Sequence, residues 1–151
     1  MSYETKIIKL TLKDLERCIA LDIIALNGIW NKQQWGKELI NPNSICIGII
    51  KDYELIGLCC GWIISDQINI TVLAIHPSAQ RKGFGEKLLS YFISLAKHNQ
   101  VKVITLETKD RNYVAQALFK KLKFIQVATR QKLYKDGSNA IVFQLKFDVE
   151  S

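Results

Sequence analysis

The spacing of apolar positions changes several times along the chain, and each change marks an element. Lys6–Leu10 reads as a short strand. Thr11 opens a helix, with Asp14 three residues on as a capping-box variant, and Leu12, Leu15, Cys18, Ile19 and Leu26 give that helix one apolar face. Asn31 and Gln34 repeat the capping pattern for a shorter helix ending near Ile40, and Asn41-Pro42-Asn43-Ser44 is a loop. Three β-like runs follow, Ile45–Lys51, Leu55–Ile64 and Ile68–Ile75. The polar breaks Asp52-Tyr53-Glu54 and Ser65-Asp66-Gln67 between them predict antiparallel hairpins. Leu88, Leu89, Phe92, Leu95 and Ala96 then line a helix to about His98, which Asn99-Gln100 ends. Val101–Thr108 is a strand reached by a helical crossover, so it is expected parallel to Ile68–Ile75. Asn112–Leu122 is a helix with Val114, Ala115, Leu118 and Phe119 inward. Phe124–Tyr134 and Ala140–Phe147 close the chain as strands joined around Lys135-Asp136-Gly137-Ser138. The order β-α-α-β-β-β-α-β-α-β-β predicts an α+β fold, a mixed central sheet flanked by helices, in a single domain over 1–151.

One stretch organises the rest. Ile68–Leu89 runs from an apolar strand through His76-Pro77 into Gln80-Arg81-Lys82-Gly83-Phe84-Gly85 and then a helix. Glycine at a strand-to-helix turn permits positive φ and close backbone approach. A helix starting there presents unpaired N–H groups and the positive end of its dipole, a seat for an anion such as a diphosphate. Arg81 and Lys82 add charge of the right sign. A Walker A loop would need Gly-Lys-Ser/Thr, but Glu86-Lys87 follows Gly85. A dinucleotide fingerprint would need a third glycine, where this chain has Leu88.

Composition narrows the class. Hydrophobic residues make up 48% and charged residues 23%, which indicates a globular rather than a disordered chain. No apolar run reaches the roughly 18 residues of a membrane span. Met1–Lys6 lacks the basic start and apolar block of a signal peptide. Cys18, Cys46, Cys59 and Cys60 lack zinc-ligand spacing, so no metal is expected. They read as reduced, buried residues of a cytoplasmic protein. Charge is uneven: residues 1–75 hold 7 Lys/Arg against 8 Asp/Glu, and residues 76–151 hold 14 against 6. The half with the glycine turn is the basic half, which suits a polyanionic ligand. A nucleic-acid-binding module would rest on that charge alone, with no aromatic-basic motif beside it, and no direct nucleic-acid binding is expected.

Gln80-x-x-Gly83-x-Gly85 matches the Gln/Arg-x-x-Gly-x-Gly/Ala signature of the GCN5-related N-acetyltransferases, and the element order above resembles theirs over nearly the whole chain. Leu106-Glu107-Thr108-Lys109-Asp110-Arg111-Asn112, then Ala115, Leu118-Phe119 and Leu122-Lys123-Phe124, is similar to a run in the bacterial ribosomal-protein-alanine N-acetyltransferases. Arg130-Gln131-Lys132-Leu133-Tyr134 resembles the Arg-x-x-Tyr-Tyr of the same group.

The resemblance implies acetyl-coenzyme A (acetyl-CoA) as co-substrate. Its diphosphate would lie on the backbone of Arg81, Lys82, Gly83, Phe84, Gly85 and Glu86. Its pantetheine arm would pair with Leu73-Ala74-Ile75, admitted between two splayed strands. A backbone N–H near Ile75 would polarise the thioester carbonyl. Asn112 would contact the cofactor as well as cap its helix, and Phe119 would border the cofactor. Glu107 matches the general base, the alternative position being Asn69, whose amide takes no proton; Tyr134 would contact the acceptor. Two positions depart from the pattern. Phe119 stands where relatives carry a tyrosine that protonates the leaving thiolate, leaving Tyr113, Tyr134 or water as donors. Lys123 stands where they carry glycine, so that turn must either strain or shift. The implied acceptor is the N-terminal amine of a ribosomal protein. Alternatives are a small amine, a lysine, or a catalytically weakened acyl-CoA-binding or interaction module.

Overall fold

A computed structural model describes residues 4–131 and 134–148. Strand β1 is Thr5–Lys9. Thr11 caps a 3-10 turn, Leu12–Asp14, that leads into α1, Leu15–Leu26. Helix α2 is Lys32–Ile40. Three antiparallel strands follow, β2 (Ser44–Lys51), β3 (Glu54–Ile64) and β4 (Gln67–Ile75). Then come α3 (Phe84–His98), β5 (Val103–Lys109), α4 (Tyr113–Lys121), β6 (Ile125–Arg130) and β7 (Ala140–Lys146). Both expected capping boxes form: Asp14 accepts from the Thr11 N–H at 2.8 Å, and Asn31 and Gln34 exchange bonds of 2.8 Å.

The sheet order is β1-β2-β3-β4-β5-β7-β6, with β4 and β5 its parallel neighbours. They pair only at Gln67–Val103, Ile68–Ile104 and Asn69–Thr105. Beyond Asn69 and Thr105 the two strands part, so the sheet carries a slot open toward the C-terminal end of β4. Just past the apex, Thr71 bulges out of the β3 register and its hydroxyl donates to the Cys60 carbonyl at 3.3 Å.

Each face of the sheet has its own core. On one, Leu88, Leu89, Phe92 and Ala96 of α3 and Phe119 of α4 pack against Ile47, Ile68, Ile104 and Phe143. On the other, Cys18 and Leu21 of α1 and Trp35 of α2 cover Cys46, Leu58, Cys60 and Val72. Cys59 and Cys60 therefore point to opposite cores, as neighbours in a strand must. All four cysteines are free and buried. The α1/α2 face continues beyond β4 over β5 and β7, where Glu107 and Lys109 stand exposed.

Three expectations need correction. Leu12 is 52% exposed, because it belongs to the 3-10 turn and not to the stripe of α1. Val114 is 66% exposed, and Gln116 is buried in its stead. The Gln116 amide donates to the carbonyls of Asp110 at 2.9 Å and Lys109 at 3.4 Å, which draws a polar residue inward. The strand expected over Phe124–Tyr134 ends at Arg130; Lys132 and Leu133 lie outside the described residues.

Candidate active site

The turn before α3 is built by two left-handed residues. Arg81 has φ +63° and Gly83 φ +83°. Gly83 is the N-cap of α3 and offers no side-chain cap, so the first N–H to bond back is that of Lys87, to the Gly83 carbonyl at 3.1 Å. The N–H groups of Phe84, Gly85 and Glu86 point out of the helix end, as an anion requires. The two glycines serve different ends. A Cβ on Gly83 would meet nothing within 4 Å, so its φ is what demands glycine. Gly85 has no positive φ; a Cβ there would come within 3.1 Å of Leu118 Cδ2, so glycine lets α3 and α4 approach. Arg81 and Lys82 are exposed beside the turn. The Glu86 carboxylate is occupied by Lys121 at 2.9 Å, which keeps its charge from opposing an anion.

Leu73, Ala74 and Ile75 pair with Cys59, Leu58 and Gly57 on one edge of β4. Their other edge faces the slot, free of β5. The Gln80 amide donates to the Ile75 carbonyl at 3.4 Å, tying the glycine turn to the slot's rim. A strand edge, an uncapped helix end and two flanking cations fit a long anionic cosubstrate laid along β4.

Glu107 stands on β5 beside the slot, opposite Val142 of β7. It is exposed, and among the described residues it has no ion pair. Lys109, two residues on along the same strand, binds Asp136 at 3.0 Å and lies 5.2 Å over the Tyr134 ring. Tyr134 is half-buried; burial first, then the charges of Glu107 and Asp136, push its phenol above the usual range, so it stays protonated at neutral pH. Hydrogen bonding from Ser138 and the Lys109 ammonium hold Asp136 well below the carboxylate norm. On the same face, the Gln144 amide donates to Thr105 Oγ1 at 3.2 Å, beside Asn69 at the apex of the slot.

Asn112 is the N-cap of α4, accepting from the Ala115 N–H at 3.1 Å. Phe119 is 4% exposed, its ring 5.4 Å from Phe143 and 6.2 Å from Phe124. Tyr113, a proposed proton donor, is 74% exposed at the start of α4. The C-terminal turn of α4 strains rather than shifts: Lys123 adopts φ +75°, its N–H reaches the Lys120 carbonyl at 3.0 Å, and that of Phe124 reaches Phe119 at 2.9 Å. That is a Schellman motif with lysine in the glycine position.

Sequence reasoning missed Asp22. Its carboxylate is fully buried and accepts from Ile29 N–H at 2.9 Å, Trp30 N–H at 3.2 Å and Trp35 Nε1 at 2.8 Å, pinning the α1–α2 loop. The signal was there, since Asp22 falls on the helical stripe of Leu15, Cys18, Ile19 and Leu26. A carboxylate on a buried stripe must be hydrogen-bonded.

A model of the acetyltransferase (GNAT) family matches residues 12–124. The chain belongs to that family. It is an N-acetyltransferase, with acetyl-CoA as the acetyl donor. A Bacillus subtilis (strain 168) protein with the provisional name [ribosomal protein bS18]-alanine N-acetyltransferase is 28% identical over 144 residues, 94% of this chain and 95% of the relative. The N-alpha-acetyltransferase RimI of Mycobacterium tuberculosis is 25% identical over 138 residues, 87% of this chain and 85% of its own. The crystal structure of the Escherichia coli ribosomal-protein-S18-alanine N-acetyltransferase superposes with a TM-score of 0.91 over 98% of this chain and 97% of that one, at 21% identity. The GNAT fold is thus present throughout the described chain. No helix among the described residues is long and apolar enough to cross a membrane.

Proposed function

We propose that residues 1–151 form an acetyltransferase domain that acts in the cytoplasm on the N-terminal amine of a ribosomal protein, with Glu107 as general base. The observation that carries this reading is Glu107 itself, an exposed carboxylate bordering the β4–β5 slot and free of any ion pair among the described residues. The similarity to ribosomal-protein N-acetyltransferases over nearly the full chain supports the acceptor.

The diphosphate of acetyl-CoA rests on the backbone of Arg81–Glu86, and the pantetheine arm pairs with Leu73–Ile75. Asn112 and Phe119 border the arm from α4. Tyr134 contacts the acceptor. An α-amine has a pKa of about 7.7–8.0 and a lysine amine about 10.4, so an N-terminus needs far less help to become neutral. Glu107, directly or through water, takes the proton as nitrogen attacks the thioester carbon. An N–H near Ile75 stabilises the oxyanion. The C–N bond forms, the C–S bond breaks, and the thiolate takes its proton from water. Phe119 has no proton to give, and a free thiol pKa near 8.5 makes the thiolate a tolerable leaving group without one.

Mass spectrometry of peptides with ribosomal-protein N-termini, incubated with enzyme and acetyl-CoA, tests this. One acetyl on the α-amine, outpacing N-blocked peptides with a free lysine, is the expected result. Acetylation of lysines or small amines instead would overturn the acceptor. Phe119, buried against Phe124 and Phe143 with no hydroxyl, favours a second reading, an acyl-CoA-binding module of weakened activity. Coenzyme A binding without thiol release against a panel of amines would establish that one.

A further inference from the structure

The Lys109–Asp136 pair lies at the mouth of the site and has no part in the reaction described above. Glu107 and Lys109 project from the same face of β5, about 7 Å apart along the strand, within reach of a lysine side chain. Yet the ammonium turns away to Asp136, 27 residues on, at 3.0 Å. The turn that carries Asp136 is bonded within itself: Asp136 Oδ1 accepts the Ser138 N–H at 2.8 Å, the Tyr134 carbonyl accepts the Gly137 N–H at 3.0 Å, and the Tyr134 N–H reaches the Ser138 carbonyl at 3.3 Å. Its tie to the head of α4 is the Asp110 N–H on the Asn139 carbonyl at 2.9 Å. The Lys109 backbone is fixed by Ala140 of β7 and by Gln116 of α4.

We propose that Lys109 and Asp136 are a positioning pair. Asp136 keeps the Lys109 ammonium off Glu107, and Lys109 holds the 134–138 turn so that Tyr134 faces the acceptor. This rests on the reading of Glu107 as base and Tyr134 as acceptor contact. The pair is half-exposed on both sides, so its part in stability is small. Its placement is what acts. Without Asp136, Glu107 is the carboxylate that shares the Lys109 face of β5, and an ion-paired base is a poorer proton acceptor. Among the described residues of β5, β6 and β7, the other charged groups on this face are Arg130, in line with Ala140 and Lys109, and Lys146, opposite Val103; the Tyr134 phenol beside Glu107 is neutral, and Asp22 is buried under the α1–α2 loop.

The test is a double-mutant cycle on the full chain with an N-terminal peptide as acceptor. Asp136→Asn should lower kcat and raise the acceptor KM, together about tenfold in kcat/KM, the size of a lost ion pair and a disturbed cation–ring contact. The KM for acetyl-CoA should not move. Adding Lys109→Met to Asp136→Asn should return kcat toward wild type while the acceptor KM stays high. A purely structural pair would give no such recovery, so additive losses in kcat overturn the proposal. Carboxyl NMR provides a readout that needs no turnover: the Glu107 pKa should fall in Asp136→Asn and return in the double variant. An unchanged Glu107 pKa overturns the proposal even if no amine is acetylated, whereas failure with every amine accompanied by the expected pKa changes would overturn only the proposed function.

Discussion

Two carboxylates each hold a loop on the face of the sheet that carries Glu107, and they do so in opposite ways. Asp22 is fully buried and satisfies two backbone N–H groups and an indole in the α1–α2 loop. Asp136 also accepts a backbone N–H, from Ser138, but lies half-exposed with a lysine as its second partner. Burial decides what each is for. Removing a buried acceptor strands its donors, which costs about 1–3 kcal/mol per group. An exposed pair in water contributes little to folding and is free to act on position and charge. One loop is part of the core; the other is adjustable.

The sharpest break of that contrast is Asp22→Ala. Three donors lose their acceptor inside the protein, and a loss of about 3–5 kcal/mol is expected, read as a lowered urea midpoint with an unchanged slope. Asp136→Asn should leave the same midpoint nearly where it was; a large shift would mean that the turn is as much core as the loop.

Glu107→Gln tests the reactive side of the contrast. It should cut turnover about 10²–10⁴-fold for a lysine-like amine and less for an N-terminal amine, with coenzyme A affinity and melting temperature intact. An unchanged rate with every amine would return Glu107 to the status of a surface carboxylate. Gly83→Val places a β-branched residue at φ +83° in open space, so coenzyme A affinity by calorimetry should fall at least about tenfold while packing is spared. Gly85→Val should do the reverse, crowding Leu118 and destabilising by about 1–3 kcal/mol. The smallest effect is expected of Lys123→Gly, which relieves a left-handed lysine and should stabilise by up to about 1 kcal/mol in thermal melts.

Much of this was legible in sequence because it is local. Both capping boxes close over three residues, and the strand breaks at Asp52-Tyr53-Glu54 and Ser65-Asp66-Gln67 set the hairpins. The glycine turn was legible as an anion seat, but not the division of labour between Gly83 and Gly85. Leu118, which makes the difference at Gly85, is 33 residues away. Arg81 was visible as a cation and not as a left-handed residue, because its conformation follows from the turn around it. Val114 and Gln116 exchanged places because periodicity counts apolar side chains and cannot see two carbonyls waiting for an amide. Lys109 and Asp136 met only once β7 had brought the turn back to β5.

The burial of every cysteine has a practical consequence. Burial pushes the Cys18 thiol up to about 12, and Cys59 and Cys60 are raised as well. Alkylating reagents attack the thiolate, so the native molecule should be nearly inert to iodoacetamide at neutral pH. In the unfolded chain the same thiols titrate near 9, and stability should therefore drain away as pH climbs from about 9 toward 12. The sulfurs thus act as a built-in clock. The rate at which all of them are modified together measures how often the whole molecule opens, and Asp22→Ala should make that clock run fast.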